Sequence, residues 1–322
     1  MTKITDKDLL TWSRMGPRAM FGQFMLKLAE TRKDLVVMSA DLGRSSGLER
    51  FKKTYPDQYV KLGISEQNMI GVAAGMAKEG FQVFVTSFAP FLSMRASEQI
   101  RMNLGYMGLN VNLVALGSGL SMAYLGNSHF GLEDIAVMRT VPNLSVLSPA
   151  DCYELREILT DVTENKRGPT YIRLTGVPGV KPVYDGTYEY KWGKLQQLST
   201  GKQALALTTG AVATEVCGAI KSLSLKGIEI TLITVPQIKP LPADLIGLLN
   251  RFKKIIIVEE HSVVGGLSSA IAEALLANTS NKDFLSIALP DNFGPTGTYP
   301  FLLEHHGLTK RKIEAQIEHF LL

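Results

Sequence analysis

Apolar residues recur along this chain at two spacings that take turns. In the first half, short continuous apolar runs at Leu35–Ser39, Phe81–Thr86, Val111–Leu116, Leu144–Leu147 and Thr170–Leu174 have the length and β-branched content of strands buried on both faces. Between them, apolar positions return at helical spacing over Arg18–Glu30, Asn68–Glu79, Ser93–Asn103 and Ala150–Thr163, which predicts a parallel sheet covered by helices on both sides. The stretch Val177–Lys194 breaks the pattern with Pro178, Gly179, Pro182, Gly186 and Gly193 set among Tyr184, Tyr188, Tyr190 and Trp192, and is expected to link two units. A second, shorter alternation follows. Strands are expected at Ala204–Thr208, Ile230–Thr234, Ile255–Glu259 and Phe284–Ala288, with helices near Val212–Ser222, Ala243–Asn250, Leu267–Ala277 and Lys310–Leu322. The expected fold is α/β with two parallel-sheet domains, residues 1–180 and a smaller one at 196–322, joined by a linker at 181–195.

Helix Asn68–Glu79 carries Met69, Ile70, Val72, Ala73, Met76 and Ala77 on nearly every side, so it is expected inside the protein. Gly71 and Gly75, one turn apart, would let another backbone approach closely. Just ahead, Gly63-Ile64-Ser65-Glu66-Gln67 places one acid where the extended segment Tyr59–Leu62 meets that helix. Ser65 is the expected N-cap, which puts Glu66 in the first turn beside the partial positive charge of the helix end. An acid is favoured there without any chemistry, so position alone leaves a helix-stabilising and a functional role both open.

At 322 residues with 45% hydrophobic content, the chain can bury two ordinary cores. Its net charge of +4 is spread out, with no basic, aromatic-interleaved stripe, and no nucleic-acid partner is expected. Cys152 and Cys217 lie far apart without metal-ligating neighbours, as small buried side chains of a reducing compartment would. No apolar run reaches the roughly 18 residues of a membrane span, and the opening Met1–Asp8 is too polar for a signal peptide. A cytoplasmic location without membrane contact is the expectation.

The passage Gly63 to Arg173 resembles the pyrimidine-binding domain of thiamine-diphosphate enzymes of the transketolase group, which includes deoxyxylulose-phosphate synthase and the β subunits of 2-oxoacid dehydrogenases. In the second half, Val258-Glu259-Glu260-His261-Ser262-Val263-Val264-Gly265-Gly266-Leu267 matches the V-E-[ED]-H-x-x-x-G-G-[LA] segment of their C-terminal domain. The resemblance implies thiamine diphosphate as cofactor, with Glu66 as the glutamate of G-x-x-E-Q that hydrogen-bonds N1′ of the aminopyrimidine. That contact drives the ring to the imino tautomer, whose exocyclic nitrogen takes the proton from the thiazolium C2.

Other site residues follow from the same resemblance. Phe88 and Phe91 fall where relatives wall the aminopyrimidine with aromatic rings; core packing at a strand end is the alternative. Arg95 and Glu98 match a polar pair of the same enzymes, and a surface ion pair fits them equally. Asp41 and Leu42, in Ser39-Ala40-Asp41-Leu42, match the S-A-D-L of transketolases, where the acid lies close to the cofactor across a subunit boundary. Open α/β sheets also bind ligands at such strand ends. Arg14, Ser45 and Arg173 match positions that hold the sugar phosphate, a task that suits guanidinium groups. His129, in Asn127-Ser128-His129-Phe130-Gly131, falls on the histidine of D-G-x-T-H-Q, as a donor or general acid/base toward the substrate. Gly265 and Gly266 open a helix that could by itself attract an anion, although relatives use this domain mainly to pack subunits; His261 stays open between the two roles.

Two positions depart from the pattern. Leu125 stands where relatives have an aspartate on a sugar hydroxyl, and Gly117 where transketolases have a phosphate-binding histidine. An apolar wall at Leu125 weakens selection for one hydroxyl configuration, so a deoxygenated, branched or nucleotide-linked sugar is admissible. The G-D-G motif that holds metal against the diphosphate in that family is missing, as is a P-loop, and no metal ligand is expected in this chain. A split enzyme is therefore expected. This chain would be the C-terminal subunit of a transketolase-like transferase that moves a two-carbon ketol unit from a ketose to an aldehyde. A separate N-terminal subunit would hold the diphosphate and Mg2+ or Ca2+, within an α2β2 heterotetramer formed by self-dimerisation. A deoxyxylulose-phosphate-synthase-like or 2-oxoacid dehydrogenase β-type subunit, and a non-catalytic assembly or regulatory subunit, are the alternatives.

Overall fold

A computed structural model describes residues 4–277 and 281–322. Among the described residues twelve strands run in chain order: β1 (Leu35–Ser39), β2 (Tyr59–Lys61), β3 (Gln82–Phe88), β4 (Val111–Leu116), β5 (Ser145–Leu147), β6 (Thr170–Arg173), β7 (Gln196–Ser199), β8 (Ala204–Thr208), β9 (Ile230–Thr234), β10 (Gln237–Lys239), β11 (Lys254–Ser262) and β12 (Asp283–Leu289). Seven form one sheet in the order β10-β5-β6-β4-β3-β1-β2, and five form another, β12-β11-β8-β9-β7. Pairing is parallel throughout except at two edges, where β10 runs antiparallel to β5 and β7 to β9. The α/β class with two sheet domains holds. β1, β3, β4, β6, β8 and β9 are buried along their whole length, as their near-continuous Val, Ile and Leu content requires of strands covered on both faces.

The division between the halves is less clean than the sequence suggests. β10 comes from the second half of the chain but completes the edge of the first sheet, with Gln237 opposite Leu147 and Lys239 opposite Val146. Confined between Pro236 and Pro240, it is too short to show a strand period. The segment expected as a linker holds no strand or helix, yet it is a packed strap. Asp151 accepts hydrogen bonds from the Val183 and Tyr184 backbone N–H groups, both 2.8 Å, and the Tyr188 hydroxyl donates to Glu154 Oε1 at 2.7 Å. Burial pushes the Glu154 carboxyl up to about 8.

Three helices differ from expectation. Asp6–Met15 was hidden by its polar composition, although Thr5 and Asp8 form a reciprocal capping box that fixes its start. The helix Glu66–Lys78 buries Met69, Ile70, Ala73 and Ala74 but leaves Gln67, Asn68, Gly71 and Gly75 exposed, so it has an open face where burial on nearly every side was expected. The stretch expected as one helix over Ser93–Asn103 is π-helical at Phe91–Arg95 and Ile100–Tyr106, a winding found mostly as short insertions at functional sites. Both cysteines are free, and burial pushes each thiol up to about 11, which keeps it inert at neutral pH. Among the described residues no helix is long and apolar enough to cross a membrane.

Candidate active site

The turn Gly63–Ser65 leads from the end of β2 into the helix Glu66–Lys78 and buries Glu66 to 5% exposure. Ser65 occupies the N-cap position without capping the helix; its hydroxyl turns back to donate to the Leu62 carbonyl at 2.8 Å. That leaves Glu66 held from elsewhere. Ser87, inside β3, donates to Glu66 Oε1 at 3.2 Å, and Arg95 Nη1 lies 3.7 Å from Oε2. Gln67 steadies this arginine by donating to its backbone carbonyl at 3.1 Å.

From Arg95 the contacts continue through rings. Its guanidinium lies over the Phe91 ring, 3.8 Å from the centroid, a cation–π geometry. Phe91 meets Phe88 edge to face at 5.8 Å, and both meet the imidazole of His129 edge-on, at 5.2 and 5.6 Å. His129 Nδ1 pairs with the Ser128 hydroxyl at 2.9 Å. Glu66, Arg95, Phe91, Phe88 and His129, drawn from four separate segments, thus form one unbroken cluster. Glu98 stays outside it: exposed and paired with Gln99, it is not the partner of Arg95.

Around this cluster the remaining positions separate. Asp41 follows β1, exposed, with Lys61 Nζ 2.6 Å from its carboxylate; the Leu42 backbone is tied to Ser39 Oγ at 3.1 Å. Ser45 and Arg14 are exposed. Arg18 is the cation that sequence reasoning missed. Half-buried, it lines a small cleft with Gly117, Ser121, Leu174 and Gly176, and among the described residues it has no acidic partner. An arginine in the first turn of a helix opposes the helix dipole, and that mismatch at Pro17-Arg18 was the available signal. Gly117, with φ +66°, leaves no room for a side chain because Met122 fills the space a Cβ would enter. Leu125 is half exposed.

Arg173 corrects an expectation. It is fully buried, donating from Nε to both oxygens of Asp134 at 3.0 Å and from Nη2 to the Gly131 and Glu260 carbonyls at 2.8 Å. Only Nη1 is left without a partner, and with the whole side chain buried inside the domain junction, this guanidinium is not open to a phosphate from solvent. His261 is likewise internal, with Nδ1 2.8 Å from the Ser262 carbonyl, and burial holds its pKa below the usual imidazole value. The helix start after Gly266 already has its anion: Glu259 accepts from Leu267 N at 2.6 Å and Ser268 N at 2.7 Å, while Gly265 offers its carbonyl to Arg139 at 2.9 Å. These residues pack the junction.

Comparison with known proteins places the chain in a family. Residues 14–176 match the family described as transketolase, pyrimidine binding domain, and residues 193–313 match transketolase, C-terminal domain. A putative transketolase C-terminal section from Methanocaldococcus jannaschii is 36% identical, covering 94% of this chain and 95% of its own length. A 6-deoxy-6-sulfo-D-fructose transketolase subunit from a Clostridium species is 33% identical over 92% of this chain and 91% of its own. Among solved structures, one described as a split gene transketolase, inactive β4 tetramer, superposes with a TM-score of 0.83, at 33% identity over 94% of this chain and 97% of that one.

Proposed function

This chain belongs to the transketolase family, and from that premise we propose that it is the C-terminal subunit of a split, thiamine-diphosphate-dependent transferase that moves a two-carbon ketol unit from a ketose to an aldehyde. The observation that carries the reading is the cluster running from Glu66 through Arg95, Phe91 and Phe88 to His129. It joins a buried acid suited to the aminopyrimidine with an imidazole suited to the substrate.

The residues present fit half of the cofactor. A nearly buried carboxyl beside two aromatic rings matches a flat, protonatable heterocycle. For the diphosphate there is no such match, because among the described residues no cluster of acids, histidines or cysteines could hold a metal ion. Thiamine diphosphate supplies the carbanion chemistry when bound. Glu66 would share a proton with N1′, Ser87 and Arg95 would orient its carboxyl, and Phe88 and Phe91 would exclude water. His129 would donate to, or take a proton from, a substrate oxygen, and Asp41 with Leu42 would face the cofactor across a subunit boundary. The diphosphate and its Mg2+ or Ca2+ are assigned to a separate N-terminal subunit in a heterotetramer. Relatives named as subunits, and a similar chain whose β4 tetramer is inactive, support that assignment.

The test is reconstitution. Titrated alone with thiamine diphosphate and Mg2+, the chain is expected to show no saturable binding, whereas a complex with a G-D-G-containing partner binds both and turns over a ketose donor. Tight binding and turnover by the chain alone would overturn the split reading.

Arg18 is the better candidate for a substrate phosphate, ahead of the exposed Arg14 and Ser45. A half-buried cation without a partner gains from an anionic ligand, and a charge-assisted hydrogen bond contributes about 1.5 to 3 kcal/mol. Arg18→Met in the complex is expected to raise KM for a phosphorylated ketose roughly 10- to 100-fold with little change in kcat. Equal KM values for variant and wild type would remove Arg18 from the site.

A further inference from the structure

His129 and Leu125 lie in the loop 117–131, which leaves the end of β4 and returns before the helix Asp134–Arg139. Its two ends pair with each other: Gly119 N donates to the Gly131 carbonyl at 2.8 Å and Gly131 N to the Gly119 carbonyl at 3.1 Å. Both ends are gripped by the second domain. At the base, Glu260 of β11 spans the junction, with Oε1 accepting from Leu120 N at 2.6 Å and Oε2 from the Tyr299 hydroxyl at 2.7 Å. Gly119, with φ +69°, is the residue that lets this carboxyl in, since a Cβ there would collide with Glu260 Oε1. The Leu132 carbonyl, just past the loop, accepts from Ser262 N at 2.9 Å. At the tip, Asn127 Nδ2 donates to the Gly294 carbonyl at 2.9 Å.

We propose that the second domain is a working part of the substrate site, with Glu260 as a positioning residue that fixes the 117–131 loop and thereby the place of His129 and Leu125. The physical case rests on desolvation. Glu260 is buried to 1% exposure, and a buried acid keeps its place only where its oxygens find donors. Its two donors are a backbone N–H of the loop and a hydroxyl of the second domain, so moving the loop strands the carboxyl. The loop has its own turn at Ala123–Ser128 and a bond from Ser118 N to the Leu174 carbonyl; what Glu260 adds is the tie to the second domain that selects one placement of that turn. The contacts of the His129 side chain are weaker, a bond to its neighbour Ser128 and two ring edges, and its backbone N–H is spent on the Gly126 carbonyl at 2.8 Å within the loop's own turn, so none of these ties the loop to the second domain.

This inference deepens the reading above, because a positioned His129 matters only if His129 serves the substrate. The experiment therefore uses readouts independent of turnover. Hydrogen–deuterium exchange of the full chain is compared for wild type, Glu260→Ala, Glu260→Gln and Asn127→Ala, together with the NMR shifts of the His129 ring. In Glu260→Ala, amide exchange in 117–131 is expected to rise at least about tenfold while β4 and β8 stay protected. The His129 signals are expected to broaden or move. Glutamine still offers an acceptor to Leu120 N and a second polar arm to Tyr299, and should restore both readouts. Asn127→Ala, at an exposed position, should loosen the tip and move the His129 signals without lowering the melting temperature. Exchange that rises equally across the whole chain, or a Gln variant that fails to restore the loop, would overturn the proposal, as would His129 signals unmoved in both alanine variants. If the clamp behaves as expected but a His129→Ala complex turns over unchanged, the functional reading falls and the clamp stands.

Discussion

Glu66→Gln in the reconstituted complex is expected to lower turnover by about 10²- to 10⁴-fold, the usual contribution of a positioned acid or base. Glutamine has the same shape and can still accept from Ser87 Oγ, which lies 3.2 Å from Oε1. It cannot share a proton with the aminopyrimidine in the required direction, and it gives Arg95, 3.7 Å from Oε2, no acid to face. The melting temperature should therefore stay close to that of wild type, which separates loss of chemistry from loss of fold. A direct readout is the exchange of the C2 proton of the bound cofactor, followed by NMR in deuterated solvent. Slowed exchange in Glu66→Gln places the defect at cofactor activation. Exchange and turnover at wild-type rates would restore the non-catalytic subunit to first place.

At the domain junction, Asp134→Ala is expected to cost about 3 to 5 kcal/mol of stability, the range for removing one partner of a buried ion pair. Asp134 is 1% exposed, accepts from the Tyr171 hydroxyl at 2.9 Å and takes the Arg173 Nε bond on both oxygens. Truncation leaves a fully buried guanidinium without its counter-charge and a buried phenol without its acceptor. Denaturant unfolding of the chain measures the loss. Pairing the change with Arg173→Met should recover much of it, since well-packed apolar groups often match a buried pair in stability. A cost below about 1 kcal/mol for Asp134→Ala would show that Arg173 finds compensation elsewhere.

What was legible in the sequence was local. β1, β4, β8 and β9 fall at their expected bounds, because a run buried on both faces announces itself by composition alone. Glu66, Phe88, Phe91, Arg95 and His129 were found through short motifs on strand ends and loops, and the fold brings them together. Arg173 lies in a setting the sequence did not suggest. Its residue type suited a phosphate, but its partners, Asp134 and the carbonyls of Gly131 and Glu260, lie far along the chain, and no local pattern records them. Arg14 and Arg18 stand four residues apart across the break at Gly16-Pro17, so a motif read without geometry chooses between them poorly. Glu260 looked like one acid in a family segment; that its carboxyl holds the Leu120 backbone across 140 positions of sequence is visible only in three dimensions.

β10 sets an order on the making of the protein. During synthesis residues 145–147 emerge well before residues 237–239, so a nascent first sheet waits with the β5 edge unpaired while the strap and strands β7 to β9 are still being added. An open edge is a template for wrong pairing with another chain. Gln237 ends the wait twice over: it pairs opposite Leu147, and its Oε1 accepts from Gly193 N at 2.9 Å, latching the strap down in the same step. A gene cut between the two domains would release a first half whose edge never closes, so the place where this chain could be divided is not the boundary that composition marks.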